Sequence, residues 1–324
     1  MKALVYEDVE TLVIRDLPMP TPAPGEHLVR IEASGICGSD MHAYLGHDKI
    51  RRPAPLTLGH EAAGTIEGGA RDGDRVTINP LVTCMECDYC KSGRENICQT
   101  RQIISMPPRE GAFAQYVCVP ERNLVPVPDD VPMNKAALAE PLAVSWHAAR
   151  LALANGAADK AIVIGGGAIG LAASLCLKAM GVSDVIVIEP NAARRAFLID
   201  VCNENAVEST SEMAPVIIDA VGYDATRATA SELAMPGGII AHVGLGAGTG
   251  GLDVRRMTLQ EITFVGTYTY TMQDFRDTAQ ALFDGRLGAL DWPEIRPLDA
   301  GAEAFASLRS GAVATPKIIL NPWA

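Results

Sequence analysis

The stretch that most restricts how this chain can fold is Gly165, Gly166, Gly167, Ala168, Ile169, Gly170. It follows an apolar run at 161–164 and opens an Ala-rich segment, so the pattern puts a tight turn between a buried strand and a helix. Backbone N–H groups left unscreened by side chains there can hold a pyrophosphate at the helix N-terminus. Glu189 ends the next apolar run, 19 residues after Gly170, where a carboxylate can accept hydrogen bonds from both adenosine ribose hydroxyls and repel a 2′-phosphate. The turn therefore predicts a dinucleotide, with NAD favoured over NADP. Arg194 and Arg195 follow soon after and temper that preference, since an arginine there can hold a phosphate.

Around this turn, apolar runs alternate with helix-like stretches, the first of them at 133–154, which predicts a doubly wound parallel sheet of Rossmann type. The first 125 residues read differently, as short β-branched runs punctuated by Gly and Pro, the texture of a small, irregular β barrel. From about residue 271 a helix-like segment and a last strand at 317–322 return to the first domain. The predicted division is residues 1–141 with 272–324, and residues 142–271. With 324 residues, two domains are the default. The uncharged run 161–177 falls short of the roughly 20 residues that span a bilayer, and Lys160 and Lys178 flank it.

Cys84, Cys87 and Cys90 recur at three-residue intervals, and Cys98 follows eight residues later. Four thiolates in one short loop can enclose Zn²⁺ with every coordination position filled, giving a metal that holds shape and binds no substrate. Upstream, Cys37 and the pair His60 and Glu61 offer a different set. A catalytic zinc takes about three protein ligands and leaves one position open. Cys37 supplies a thiolate and His60 an imidazole, and Asp40 is spaced to orient that imidazole from behind.

A formal net charge of −12 argues against nucleic-acid and anionic-membrane partners, both of which need clustered Lys and Arg. The first 20 residues lack the basic start and continuous apolar core of a signal peptide, so the expected compartment is the cytoplasm. There, eight cysteines suit metal binding and reduced thiols better than a disulfide framework. Cys118, Cys176 and Cys202 read as small buried hydrophobes, and His27, His47, His147 and His242 as structural or solvated.

These motifs together resemble the zinc-dependent medium-chain alcohol/polyol dehydrogenases over nearly the whole chain. The matching residues are Cys37, Gly38, Ser39, Asp40 and His42; Gly59, His60, Glu61 and Gly64; the segment 73–76; the four cage cysteines; 111–116; Glu140, Pro141 and Leu142; the glycine turn; and 219–222. The resemblance implies a GroES-like β barrel carrying two zincs, a Rossmann domain carrying NAD, and an assembly of two or four copies. It makes Cys37, His60 and Glu61 or Glu140 the catalytic zinc ligands, without ranking the two carboxylates, and Ser39 and His42 a proton path to solvent. It extends the cofactor surface from Gly165, Gly167, Ala168, Ile169, Gly170, Glu189 and Arg194 to Val221, Gly244, Leu245 and Thr267.

Glu at 140 is similar to the sorbitol dehydrogenase branch, which implies a polyol, sugar acid or other secondary alcohol oxidised to its ketone with hydride passing to NAD. Thr269 stands where sorbitol-type enzymes often carry an arginine, so sorbitol itself is a poor candidate. Tyr44, Met106 and Tyr268 are candidate pocket residues. Compared with the family, the connection between Gly64 and Gly73 is short, and 207–215 has lost part of a helix and strand. An amino-alcohol dehydrogenase of threonine type, or a non-catalytic zinc- and nucleotide-binding protein, are the alternatives.

Overall fold

The computed structural model describes all 324 residues. One compact unit comprises Met1–Glu140, Thr271–Asp284 and Pro293–Ala324; the other comprises Pro141–Tyr270 and Gly285–Trp292. The segment 285–292, expected in the first unit, belongs to the second because Leu287 and Leu290 are buried and the Arg286 guanidinium lies 5.8 Å from the Trp146 ring centre.

In the first unit, β1 (Lys2–Asp8) and β2 (Thr11–Asp16) form an antiparallel hairpin, and β4 (Leu56–Thr57) pairs with β1. The spine is β3 (Glu26–Gly35), which pairs with β5 (Glu61–Glu67) along one edge. Its other edge is shared: β9 (Tyr116–Pro120) pairs with the start of β3, and β18 (Ile318–Asn321) pairs with Ser34 and Gly35 at its end. The sheet extends through β6 (Arg75–Ile78) and β10 (Leu124–Pro126) on one side and β17 (Glu294–Pro297) on the other. A short pair, β7 (Leu81–Val82) with β8 (Gln102–Ile103), flanks the cage loop.

Helix α1 (Gly38–Tyr44) leaves the end of β3, α2 (Asp88–Lys91) lies within the cage, and α3 (Met133–Ala136) precedes α4 (Ala139–Ala152). The core closes on Phe305 of α10 (Gly301–Ser310), which follows α9 (Met272–Phe283); the Phe305 ring lies 5.3 Å from that of Tyr44 and 5.9 Å from that of Phe113. Such offset and edge contacts add roughly 0.5–1.5 kcal/mol each beyond their buried area. Tyr44 is thus core packing and not a pocket residue.

The second unit is a six-stranded parallel sheet. Its strands are β11 (Lys160–Ile164), β12 (Asp184–Ile188), β13 (Asn205–Val207), β14 (Ala214–Asp219), β15 (Ala234–His242) and β16 (Thr263–Gly266), in the spatial order β13-β12-β11-β14-β15-β16. Helices α5 (Ala168–Ala179), α6 (Ala192–Asp200), α7 (Asp224–Leu233) and α8 (Val254–Leu259) connect successive strands. The run 161–177 resolves into β11 and α5, and no helix of the chain is long and apolar enough to cross a membrane.

Residues 208–213 pass from β13 to β14 with no helix. At about 3.3 Å per extended residue this stretch reaches roughly 20 Å, enough to cross strand spacings of about 4.8 Å each. Both strands survive, so the shortening read at 207–215 falls on the helix alone. Strand β16 stops at Gly266 because its partner stops at His242, opposite it. Thr269 therefore lies in the following loop with a φ of 45°.

Candidate active site

Two clusters of potential metal ligands lie in the first unit. In the cage, Sγ–Sγ distances are 3.8 Å for Cys84–Cys90 and 3.5 Å for both Cys87–Cys90 and Cys84–Cys98. A tetrahedron with Zn–S bonds of about 2.3 Å has edges of about 3.8 Å, so the four sulfurs are spaced to hold zinc. The N–H groups of Glu86 and Cys87 donate to Cys84 Sγ, bringing that thiol down to about 6.

Cys37, His60 and Glu61 form the second cluster, with one ligand atom of each within 4.8 Å of the others. The register explains the meeting. Gly35 at the end of β3 pairs with Glu61 at the start of β5, which leaves Cys37 just past one strand end and His60 just before the other. Gly35 is needed for space: a Cβ there would stand 2.1 Å from Glu61 Oε2. That oxygen is buried and accepts no hydrogen bond from the protein, so thiolate, imidazole and an unanswered carboxylate oxygen together make a donor set suited to zinc. Glu140 is buried at the start of α4 and is not one of the three residues of this group.

Asp40 sits behind the cluster, fully buried. One of its oxygens accepts from Cys37 N–H at 3.0 Å, and the other lies 3.4 Å from both His60 Nδ1 and Gly59 N. Burial opposes charge on His60, but the charges of Asp40 and Cys37 and their hydrogen bonds outweigh it and hold the imidazole well above its ordinary value. Burial likewise opposes charge on Asp40, yet His60 and Arg52 keep it below the usual carboxylate range. Ser39 Oγ lies 3.5 Å from His60 Nε2. His42, one turn on along α1, is exposed, its ring 5.8 Å from that of His47.

Three residues at this site carried no sequence signal. Arg52 is 1% exposed and donates to Ser39 O at 2.6 Å, Ser39 Oγ at 3.3 Å and Ser105 O at 3.2 Å. Ser105 Oγ lies 3.4 Å from His60 Nδ1. Lys317 donates to Glu61 Oε1 at 2.6 Å. Burial works against its charge, while Glu61, Cys37 and Glu140 more than compensate and raise it above the usual ammonium range.

The glycine turn of the second unit lies at the C-terminal ends of the strands, where ligands of such sheets bind. Gly165 takes a φ of 99°, a conformation open to glycine. Gly170 lets the helix approach the turn, since a Cβ there would meet Gly165 O at 1.7 Å. Nothing stands within 4 Å of a Cβ position on Gly167, so the turn presents an open face where Ala168 and Ile169 begin α5. These features fit a pyrophosphate against bare backbone N–H groups.

Glu189 is buried and already engaged: Oε2 accepts from Gly166 N–H at 3.1 Å, and Oε1 from Asn191 N–H at 2.8 Å and Arg194 at 3.2 Å. Val221 and Gly244 pack close to the turn, Leu245 is 80% exposed, and Thr267 donates to His242 O at the end of β15. Gly165, Glu189, Val221, Gly244 and Thr267 each lie within two residues of the end of a strand of the parallel sheet, whereas Ala168, Ile169 and Gly170 belong to α5 and Arg194 to α6.

Three of the histidines read as structural or solvated have side-chain neighbours, and two of the cysteines read as buried are not fully so. His27 pairs with Glu121, His147 with Arg150 at 3.2 Å, and His242 Nε2 lies 3.6 Å from Asp219. Cys176 is buried, but Cys118 and Cys202 are only part-buried. Met106 and Tyr268 are half-buried, and the Thr269 hydroxyl is buried without a partner.

Residues 23–129 match the alcohol dehydrogenase GroES-like domain, and residues 168–284 the zinc-binding dehydrogenase domain. L-Galactonate-5-dehydrogenase of Escherichia coli strain K12 is 32% identical over 309 residues, which cover 89% of each chain. The chain belongs to the zinc-dependent medium-chain dehydrogenases. As a member of this family it is an oxidoreductase acting on CH–OH groups. Sorbitol dehydrogenase of Bacillus subtilis strain 168 is 35% identical over 269 residues, 76% of this chain and 75% of that one. Among solved structures, an alcohol dehydrogenase of Escherichia coli CFT073 in complex with NADH superposes with a TM-score of 0.88 at 26% identity, covering 99% of each chain.

Proposed function

We propose that this dehydrogenase oxidises a secondary alcohol of polyol or sugar-acid type to the ketone, with NAD as the acceptor and two zincs per chain. The observation that carries the reading is the buried meeting of Cys37, His60 and Glu61, a mixed donor set unlike the four-thiolate cage. The named activities of the relatives, on galactonate and sorbitol, support the substrate class.

When bound, zinc would supply a Lewis acid that polarises the hydroxyl, and nicotinamide would accept the carbinol hydrogen as hydride. Cys37, His60 and Glu61 would hold the metal, and the cage cysteines would hold the second. Asp40 fixes the His60 ring through Nδ1, which leaves Nε2 for the metal. Ser39, its oxygen held by Arg52, takes up the hydroxyl proton as it gives up its own, and the exposed His42, three residues along the same helix, is the group that exchanges protons with solvent. Glu189 supports NAD, because a 2′-phosphate would approach a buried carboxylate. Family resemblance supports a homodimer or homotetramer, which light scattering tests.

The test is a panel of polyols, aldonates and amino alcohols, scored by NADH or NADPH formation. The reading expects turnover of a polyol or aldonate and at least about tenfold preference for NAD, consistent with a charged-group contact of 1.5–3 kcal/mol. Threonine as the best substrate, or no secondary alcohol turned over, would overturn it.

A further inference from the structure

Lys317 reaches the metal-binding cluster from the far end of the chain. Gly35 pairs with Ile319 on one side and with Glu61 on the other, so β18, β3 and β5 run side by side and Lys317 is delivered beside the Glu61 carboxylate. Its ammonium donates to Glu61 Oε1 at 2.6 Å and to Ile36 O at 2.9 Å. The two side chains are 3% and 1% exposed, leaving no solvent through which the pair could loosen.

The other oxygen, Oε2, is buried with no hydrogen-bond partner and lies over Gly35, at the position a Cβ would fill. The carboxylate is wedged between a cation and a bare backbone, with one oxygen answered and one not. This asymmetry matters beside a metal. A carboxylate free at both oxygens can bind a divalent cation through both, which fills the position a substrate needs, whereas an ammonium on one oxygen makes that oxygen a poor ligand.

We propose that Lys317 is a positioning residue that restrains Glu61 to a single metal-facing oxygen and so keeps one coordination position open to the substrate hydroxyl. The inference rests on Cys37, His60 and Glu61 being a zinc site. It assigns to the final strand a part in substrate access that none of the metal-ligand motifs contains.

The test replaces zinc at this site with cobalt(II), whose visible absorption is strong in four-coordinate and weak in five-coordinate sites. K317M should weaken that absorption and raise the alcohol KM by about 10–100-fold, the usual size of effects from groups that support metal ligands, with the NAD KM unchanged. K317R, which keeps the charge, should restore both.

Unchanged absorption and KM in K317M would overturn the proposal, as would loss of the metal together with a lowered melting temperature, the mark of a purely structural lysine. Should K317M not fold, E61Q and E61Q/K317M are compared: with no carboxylate to restrain, the second change should leave spectrum and KM as in E61Q, and any further shift contradicts the proposal. Metal counting separates the two failures. If C37S binds as much metal as the wild type, the zinc-site reading itself fails; if C37S loses a metal and K317M still matches the wild type, only the role of Lys317 fails.

Discussion

The cage and the Cys37 cluster occupy the same unit and both offer thiolate to a metal, yet they draw on opposite amounts of chain. The cage comes from one loop, residues 84–98, with backbone N–H groups of that loop supporting its own sulfurs. The Cys37 cluster takes ligands from two strand ends and its supports from residues 40, 52, 105 and 317. A local site can close completely around its ion. A site assembled across β3, β5 and β18 can stop at three ligands, because the sheet and not the metal holds the ligands in place.

The sharpest way to break this contrast is C37S. Turnover should fall by about 10³-fold or more, roughly 4 kcal/mol in barrier height, while zinc content drops from two per chain to one. Steady-state rates with elemental analysis check it, and a C37S enzyme turning over at the wild-type rate would end the distinction between the sites. C98S asks the converse question. It should release the cage zinc and lower Tm by roughly 10 °C, since structural zinc contributes folding energy directly. Below that transition, calorimetry and assay should show kcat within a few-fold of wild type.

D40N probes how far the open site depends on its supports: it should lower catalytic-metal affinity or kcat by about 10–100-fold, readable by chelator competition. The smallest effect is expected of R52K. It keeps the charge but gives up the fork that holds Ser39 O, Ser39 Oγ and Ser105 O at once, so kcat should fall about tenfold, the size of roughly one lost charged hydrogen bond. An R52K enzyme as impaired as C37S would show that the guanidinium has a more direct part than holding Ser39.

The same contrast explains what could be read in advance. The cage and the glycine turn are contiguous motifs whose chemistry is local, so spacing alone exposed them, and alternating apolar runs carried the Rossmann sheet. Cys37, His60 and Asp40 needed the company of the other motifs to stand out. Lys317 and Arg52 were illegible for a physical reason: each is a cation outside any motif whose meaning comes from a partner distant in the chain, 256 residues away for Glu61 and 53 for Ser105. Lysine beside the apolar run 318–320 reads as a solvated strand end, and nothing in the adjacent Arg51 and Arg52 says which is buried. The helix missing between β13 and β14 was visible as short spacing, but whether strand or helix had gone required the sheet itself.

The most direct measurement strips the enzyme of metal and follows NADH formation from its best alcohol as zinc is returned in steps, with site occupancy tracked in parallel on C37S and C98S. Turnover should rise in proportion to filling of the Cys37 site and be absent while that site is empty, whether or not the cage is loaded. Full turnover with the Cys37 site empty would contradict the account.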